Sequence, residues 1–143
     1  MNFKEFVNNT VYYHGSNKPM PIGTILRPQP QFYTGDPVED ILEKFRPPNK
    51  LSRKNSIFLV DKPEDIAEAS GNSDYVYIVE PTPPLEKSDV SWWSEVQLKL
   101  GDNDLAGAQA AAVNYWNGVP YPDKDLSVFE YRCPSAKLIQ EVK

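Results

Sequence analysis

Apolar and polar positions fall into short blocks separated by proline-rich stretches. Residues 74–80, Asp-Tyr-Val-Tyr-Ile-Val-Glu, are β-branched and aromatic throughout and form the strongest strand pattern in the chain. Residues 10–14 and 56–60 read as further strands, and 24–27 as a short extended piece. Two more strands are expected at 128–132 and 137–142, parted by Pro134-Ser135. Over 38–45 the apolar residues recur at spacings of three and four, which predicts a short helix stopped by Pro47-Pro48. Asp61 and Glu64 make a capping-box pattern with Pro63 in the first turn, opening a helix over 62–70. Ile66, Ala67 and Ala69 are expected to face the sheet, and Gly71 to end that helix. Helices are also expected near 90–100, with Trp92, Trp93, Val96 and Leu100 partly on one face, and near 105–116. Asp104 would cap the latter and Asn117-Gly118 would close it. Residues 3–7 read as a leading helical turn and 17–37 as a loop. The sum is an α+β chain: a split, mainly antiparallel sheet core with inserted helices.

The chain has 143 residues, which fits one domain over 1–143 able to bury a core without metal or disulfide staples. Its single cysteine, Cys133, excludes an internal disulfide and fits a reducing compartment. No leader-like segment and no apolar run of membrane-spanning length is visible, so a soluble cytoplasmic monomer is expected. The net charge of −5 lacks the basic balance of a dedicated nucleic-acid binder. One local exception is the cluster Lys44, Arg46, Lys50, Arg53 and Lys54. It reads either as a solvated loop or as a patch facing a phosphate-bearing ligand or an acidic partner.

His14 is the only histidine, and it sits in Tyr13-His14-Gly15 at a strand end. A glycine beside it lets the backbone approach a ligand, and an imidazole donates to one group while accepting from another. Taken singly, the candidate residues have plainer readings: His14 as a hydrogen-bonded strand-end residue, Glu130 as a surface carboxylate, Phe58 as core. Trp92, Trp93 and Trp116 read as core or groove wall. Cys133 has no second histidine to activate it. One histidine and one cysteine do not build a typical zinc site, so no metal is expected.

Three segments taken in order carry more. These are Tyr12-Tyr13-His14-Gly15-Ser16 with Gly23-Thr24-Ile25-Leu26; Ser56-Ile57-Phe58-Leu59-Val60 running into a helix; and Val128-Phe129-Glu130-Tyr131-Arg132 leading into Ala136-Lys137-Leu138-Ile139. Their order resembles the ADP-ribosyltransferase superfamily, on its His-Tyr-Glu branch, to which diphtheria toxin and the poly(ADP-ribose) polymerases belong. Val76-Tyr77-Ile78-Val79-Glu80-Pro81-Thr82 is also similar to a strand of the rifampin ADP-ribosyltransferases. In those enzymes an acidic segment follows and supplies the catalytic aspartate. The stretch in that place is Leu85-Glu86-Lys87-Ser88-Asp89, so the resemblance leaves two carboxylates open, Glu130 first and Asp89 second.

The resemblance implies a mono-ADP-ribosyltransferase, a glycosyltransferase-class enzyme that uses NAD as substrate. It would be a bacterial or phage effector or toxin whose acceptor is a protein in preference to a nucleic acid. Glu130 would hydrogen-bond the nicotinamide ribose and stabilise an oxocarbenium-like transition state. His14 would hold the adenosine-side ribose, Gly15 the carboxamide, with Ser16 assisting. Phe58 would stack on nicotinamide with Tyr75 or Tyr77 as a second wall, and Arg27 or the basic loop would meet the diphosphate. Phe58 stands where the branch has tyrosine and offers no hydroxyl, which argues against polymer formation and leaves mono-transfer or NAD hydrolysis. Val128, two residues before Glu130, argues against arginine acceptors. The alternatives are a catalytically silent module binding NAD or ADP-ribose, and a protein inhibitor or interaction module.

Overall fold

A computed structural model describes residues 10–69 and 71–142, and the expected turn at 3–7 lies outside them. Strands β1 (Tyr12–Ser16), β2 (Ile25–Leu26), β4 (Tyr75–Pro81) and β7 (Ala136–Glu141) form one antiparallel sheet in the order β1-β4-β7-β2. Strands β3 (Ile57–Leu59), β5 (Glu86–Asp89) and β6 (Phe129–Cys133) form a second, ordered β3-β6-β5. The sheet is therefore split and antiparallel. A backbone bridge joins its halves, Tyr13 N–H to Val60 O at 2.8 Å and Val60 N–H to Tyr13 O at 3.0 Å.

Helix α1 (Pro37–Lys44) begins as its sequence dictates. Asp36 accepts the Val38 N–H at 2.9 Å, Pro37 takes the first turn, and Glu39 and Asp40 meet the positive end of the dipole. Val38 and Leu42, four apart, bury one stripe against α3 (Ser91–Gly101) and α4 (Leu105–Trp116). The small faces of Ala108, Ala111 and Ala112 let α4 pack closely there, and Asp104 caps it through the Gly107 N–H at 2.9 Å. A separate apolar cluster fills the space between the sheets, with Leu59, Tyr77, Val79 and Leu138 at its centre.

One local reading needs correction. The segment over 62–70 is a 3-10 turn, Pro63–Asp65, followed by one helical turn, α2 (Ile66–Ala69). Lys62, not Asp61, stands at its start and no side chain caps it, so the capping box does not form. Ile66 is buried as expected, but Ala67 faces solvent, because one turn presents one face. Gly71 does close the segment, with φ +84° and its N–H on Ile66 O. Strand β5 is an addition: residues 86–89, to which the sequence pattern assigns no element, are a polar strand paired along β6. No helix among the described residues is long and apolar enough to cross a membrane.

Candidate functional site

The seam between the two sheets opens into a cleft of about 670 Å³. β1 supplies His14, Gly15 and Ser16 to it, β3 supplies Ile57 and Phe58, and the loop before α1 supplies Arg27 and Tyr33. His14 spans the seam, its Nδ1 2.9 Å from the carbonyl oxygen of Phe58 on the other sheet. A carbonyl only accepts, so Nδ1 carries the proton and Nε2 of the neutral ring is left as an acceptor. The expected double role therefore reduces to one: toward a ligand the neutral imidazole accepts.

Burial pushes the His14 pKa below its ordinary 6.5, with the Phe58 carbonyl opposing in part. The unfolded chain then binds more protons than the folded one between that lowered value and 6.5. Stability from this group is complete above pH 6.5 and is lost as the pH falls through the folded pKa. Because His14 is the only histidine, its ring protons give one titrating set by NMR. They are expected to titrate below 6.5 in the folded protein, and a midpoint above 6.5 would contradict the burial.

Gly15 has a reason other than ligand approach. A Cβ there would collide with the backbone carbonyl oxygen of Asn72 and with Cγ2 of Ile66. The residue is small because α2 and the following turn pack onto β1. Ser16 is likewise engaged locally, its hydroxyl donating to Lys18 O at 2.8 Å and accepting from the Lys18 N–H at 3.2 Å. The second aromatic wall is neither Tyr75 nor Tyr77. Tyr77 is buried in the core with its hydroxyl accepting the Met20 N–H at 2.8 Å, and Tyr75 packs against the same cluster. Tyr33 takes that place, its ring centroid 6.1 Å from that of Phe58. Burial, countered by Arg53 and assisted by Glu39 and Glu130, pushes its phenol up to about 12. Tyr33 lines both this cleft and the smaller cavity described below. The signal for it in the sequence was slight: two adjacent aromatics, Phe32-Tyr33, in a stretch otherwise rich in Pro, Gly and Gln.

Glu130 does not reach the cleft. It is fully buried, and Arg53 lies between it and Phe58. The guanidinium stacks on Phe58, Cζ 4.6 Å from the ring centroid, and pairs with Glu130 Oε1 through Nη1. Its Nε donates to both Glu39 oxygens at 2.8 and 3.1 Å, and Nη1 also reaches the Tyr115 hydroxyl at 2.5 Å. Burial alone would lower the Arg53 pKa, but the charges of Glu130, Tyr115 and Glu39 more than reverse that and hold it high. Tyr115 in turn donates to Glu130 Oε1 at 2.5 Å, and burial pushes its own pKa up. Behind lies Arg132, which donates to Ser88 Oγ at 2.7 Å and to the Tyr115 hydroxyl at 3.0 Å. Glu130 Oε2 and the Nε and Nη2 of Arg132 are buried without hydrogen bonds. Arg132 Nη2 lies 3.6 Å from Glu86 Oε1, so its charge is balanced by a carboxylate of β5.

The basic loop therefore divides. Arg46 is bound locally, to Glu43 at 3.0 Å and to the Lys50 carbonyl at 2.7 Å, while Arg53 is built into the site. A smaller cavity of about 240 Å³ lies on the other side of Arg53 and Tyr33, against Glu39, Asp40, Glu43 and Trp116.

Asp89, the second candidate carboxylate, is fully buried at the end of β5. It accepts the N–H of Ser91 at 3.0 Å, of Tyr121 at 2.8 Å and of Val128 at 3.2 Å, and the hydroxyl of Ser127. It ties the start of α3 to the loop before β6 and lines neither cavity described above. Cys133 does not line the cleft, although it pairs across the strands with Ile57, which does; burial pushes its thiol up to about 11, so it is protonated at neutral pH. Among the described residues no three His, Cys, Asp or Glu side chains group as metal ligands.

The lining of the larger cleft has one charge sign. Lys18, Arg27 and Arg53 contribute to it, and no aspartate or glutamate is among the described residues that do. No family model, curated protein or solved structure matches this chain.

Proposed function

We propose that this chain is a mono-ADP-ribosyltransferase that binds NAD in the larger cleft. The observation that carries the reading is the charge of that cleft: Lys18 and Arg27 beside the carboxylate-paired Arg53, and no carboxylate among the described residues that line it, in a chain of net charge −5. A ligand with a diphosphate between two flat, hydroxyl-bearing ends suits such a lining. Arg27 and Arg53 meet the phosphates, and Phe58 with Tyr33 flanks the nicotinamide. His14 Nε2 accepts from a ribose hydroxyl, and the Gly15 backbone holds the carboxamide.

In the reaction the bond from the ribose C1′ to the nicotinamide nitrogen breaks. Nicotinamide leaves with the bonding pair, and positive charge grows on the ribose. Glu130, once Arg53 gives way, stabilises that charge. The acceptor then bonds to C1′ and loses its proton. The fitting biological setting is a bacterial or phage effector acting on a protein.

A second reading is a module that binds NAD or ADP-ribose without turnover. The burial of Glu130 under Arg53 favours it. Incubation with labelled NAD and a cell lysate separates the two. Nicotinamide release with label in the protein fraction is expected. Saturable NAD binding without release would leave the binding module, and neither binding nor release would remove both.

A further inference from the structure

Arg53 is the element shared by the cleft, the smaller cavity and the buried carboxylate. Its Nε and Nη1 are committed to Glu39, Tyr115 and Glu130, while Nη2 makes no hydrogen bond among the described residues. The side chain is 11% exposed and lines both the larger cleft, beside Lys18 and Arg27, and the smaller cavity, beside Glu39, Asp40 and Glu43. An anion reaching Nη2 draws on the same positive charge that holds Glu130.

We propose that the Arg53–Glu130 pair is a latch opened by the ligand's own phosphate. An anionic ligand in the cleft takes Nη2 of Arg53, competes with Glu130 for the guanidinium, and so uncovers the carboxylate. The inference rests on the transferase reading only for what the uncovered carboxylate then does. Competition for Arg53 requires no chemistry. By linkage, whatever loosens Glu130 from Arg53 strengthens the anion, and the reverse.

The probe is inorganic pyrophosphate, titrated calorimetrically into the full chain. Glu130→Gln is expected to tighten its binding about tenfold, a typical coupling between two sites. Arg53→Gln is expected to weaken it more than tenfold. On the Arg53→Gln background Glu130→Gln should change nothing, because the residue contested is gone. A general field effect of the removed charge would instead tighten binding on both backgrounds. Melting curves verify folding, and Glu39→Gln, which frees the other side of Arg53, runs the same cycle should Glu130→Gln fail to fold. Unchanged or weaker binding in the folded carboxylate variant, undiminished binding in Arg53→Gln, or tightening that persists without Arg53, overturns the latch. A cycle that holds in a protein that releases no nicotinamide from NAD would keep the latch and remove the transferase reading.

Discussion

Glutamine in place of Glu130 is expected to leave NAD bound and to slow ADP-ribosyl transfer by about a hundredfold or more, the scale of one well-placed electrostatic contact. The amide keeps the size and one acceptor oxygen but not the charge that a forming oxocarbenium ion requires. A cost in stability accompanies it. Glu130 is the fully buried partner of Arg53 and an acceptor for Tyr115, with Arg132 close behind. Removing its charge leaves the buried Arg53 guanidinium with Glu39 as its one remaining counter-charge among the described residues, worth about 3 kcal/mol or more. Turnover must therefore be expressed per folded molecule, with NAD affinity measured beside it. Parental turnover in folded Glu130→Gln would end the assignment of Glu130 and leave the binding module as the better reading.

Asp89→Asn should behave in the opposite way, losing stability while turnover per folded molecule stays near parental. The Asp89 carboxylate accepts three backbone N–H groups and one hydroxyl, and it is fully buried. The asparagine oxygen can serve one side of that set, but its NH₂ then faces donors on the other. Losing charge-assisted hydrogen bonds and stranding buried donors costs about 3–4 kcal/mol, a fall in Tm on the order of 10 °C. Thermal melts and NAD turnover together decide it. A folded, stable Asp89→Asn protein without turnover would move the catalytic role to Asp89.

Where the sequence reading succeeded, the deciding forces were local. The β-branched run over 74–80, the Asp36 and Asp104 caps and the glycine ends of α2 and α4 are short-range effects, and the elements lie within a residue or two of their expected places. β5 was not legible because Glu86-Lys87-Ser88-Asp89 has no apolar alternation. It is a strand because β6 offers it a ladder and because Ser88 and Asp89 find buried partners. The site was half legible. His14 and Phe58 meet across the seam as their motif order implies. The masking of Glu130 could not be read, since it depends on an arginine 77 positions away that looked like one more charge in a basic loop. Whether such a side chain is solvated or buried is settled by its partners, and those of Arg53 come from α1, α4 and β6.

The narrow join between the sheets bears on motion as well as on binding. Apart from the Tyr13–Val60 bridge and the His14 ring on the Phe58 carbonyl, each sheet completes its own ladders. The apolar cluster of Leu59, Tyr77, Val79 and Leu138 is shared by both sheets and holds them together, so the hinge where local opening is least costly is this short set of polar bonds at the open edge of the seam. A molecule that touches His14 on one half and Phe58 on the other acts as a staple across that hinge. Through mass action it raises the free energy of opening. Amide exchange at Tyr13 and Val60, whose N–H groups bridge the halves, is then the local gauge of occupancy, slowing in proportion to the fraction of molecules filled.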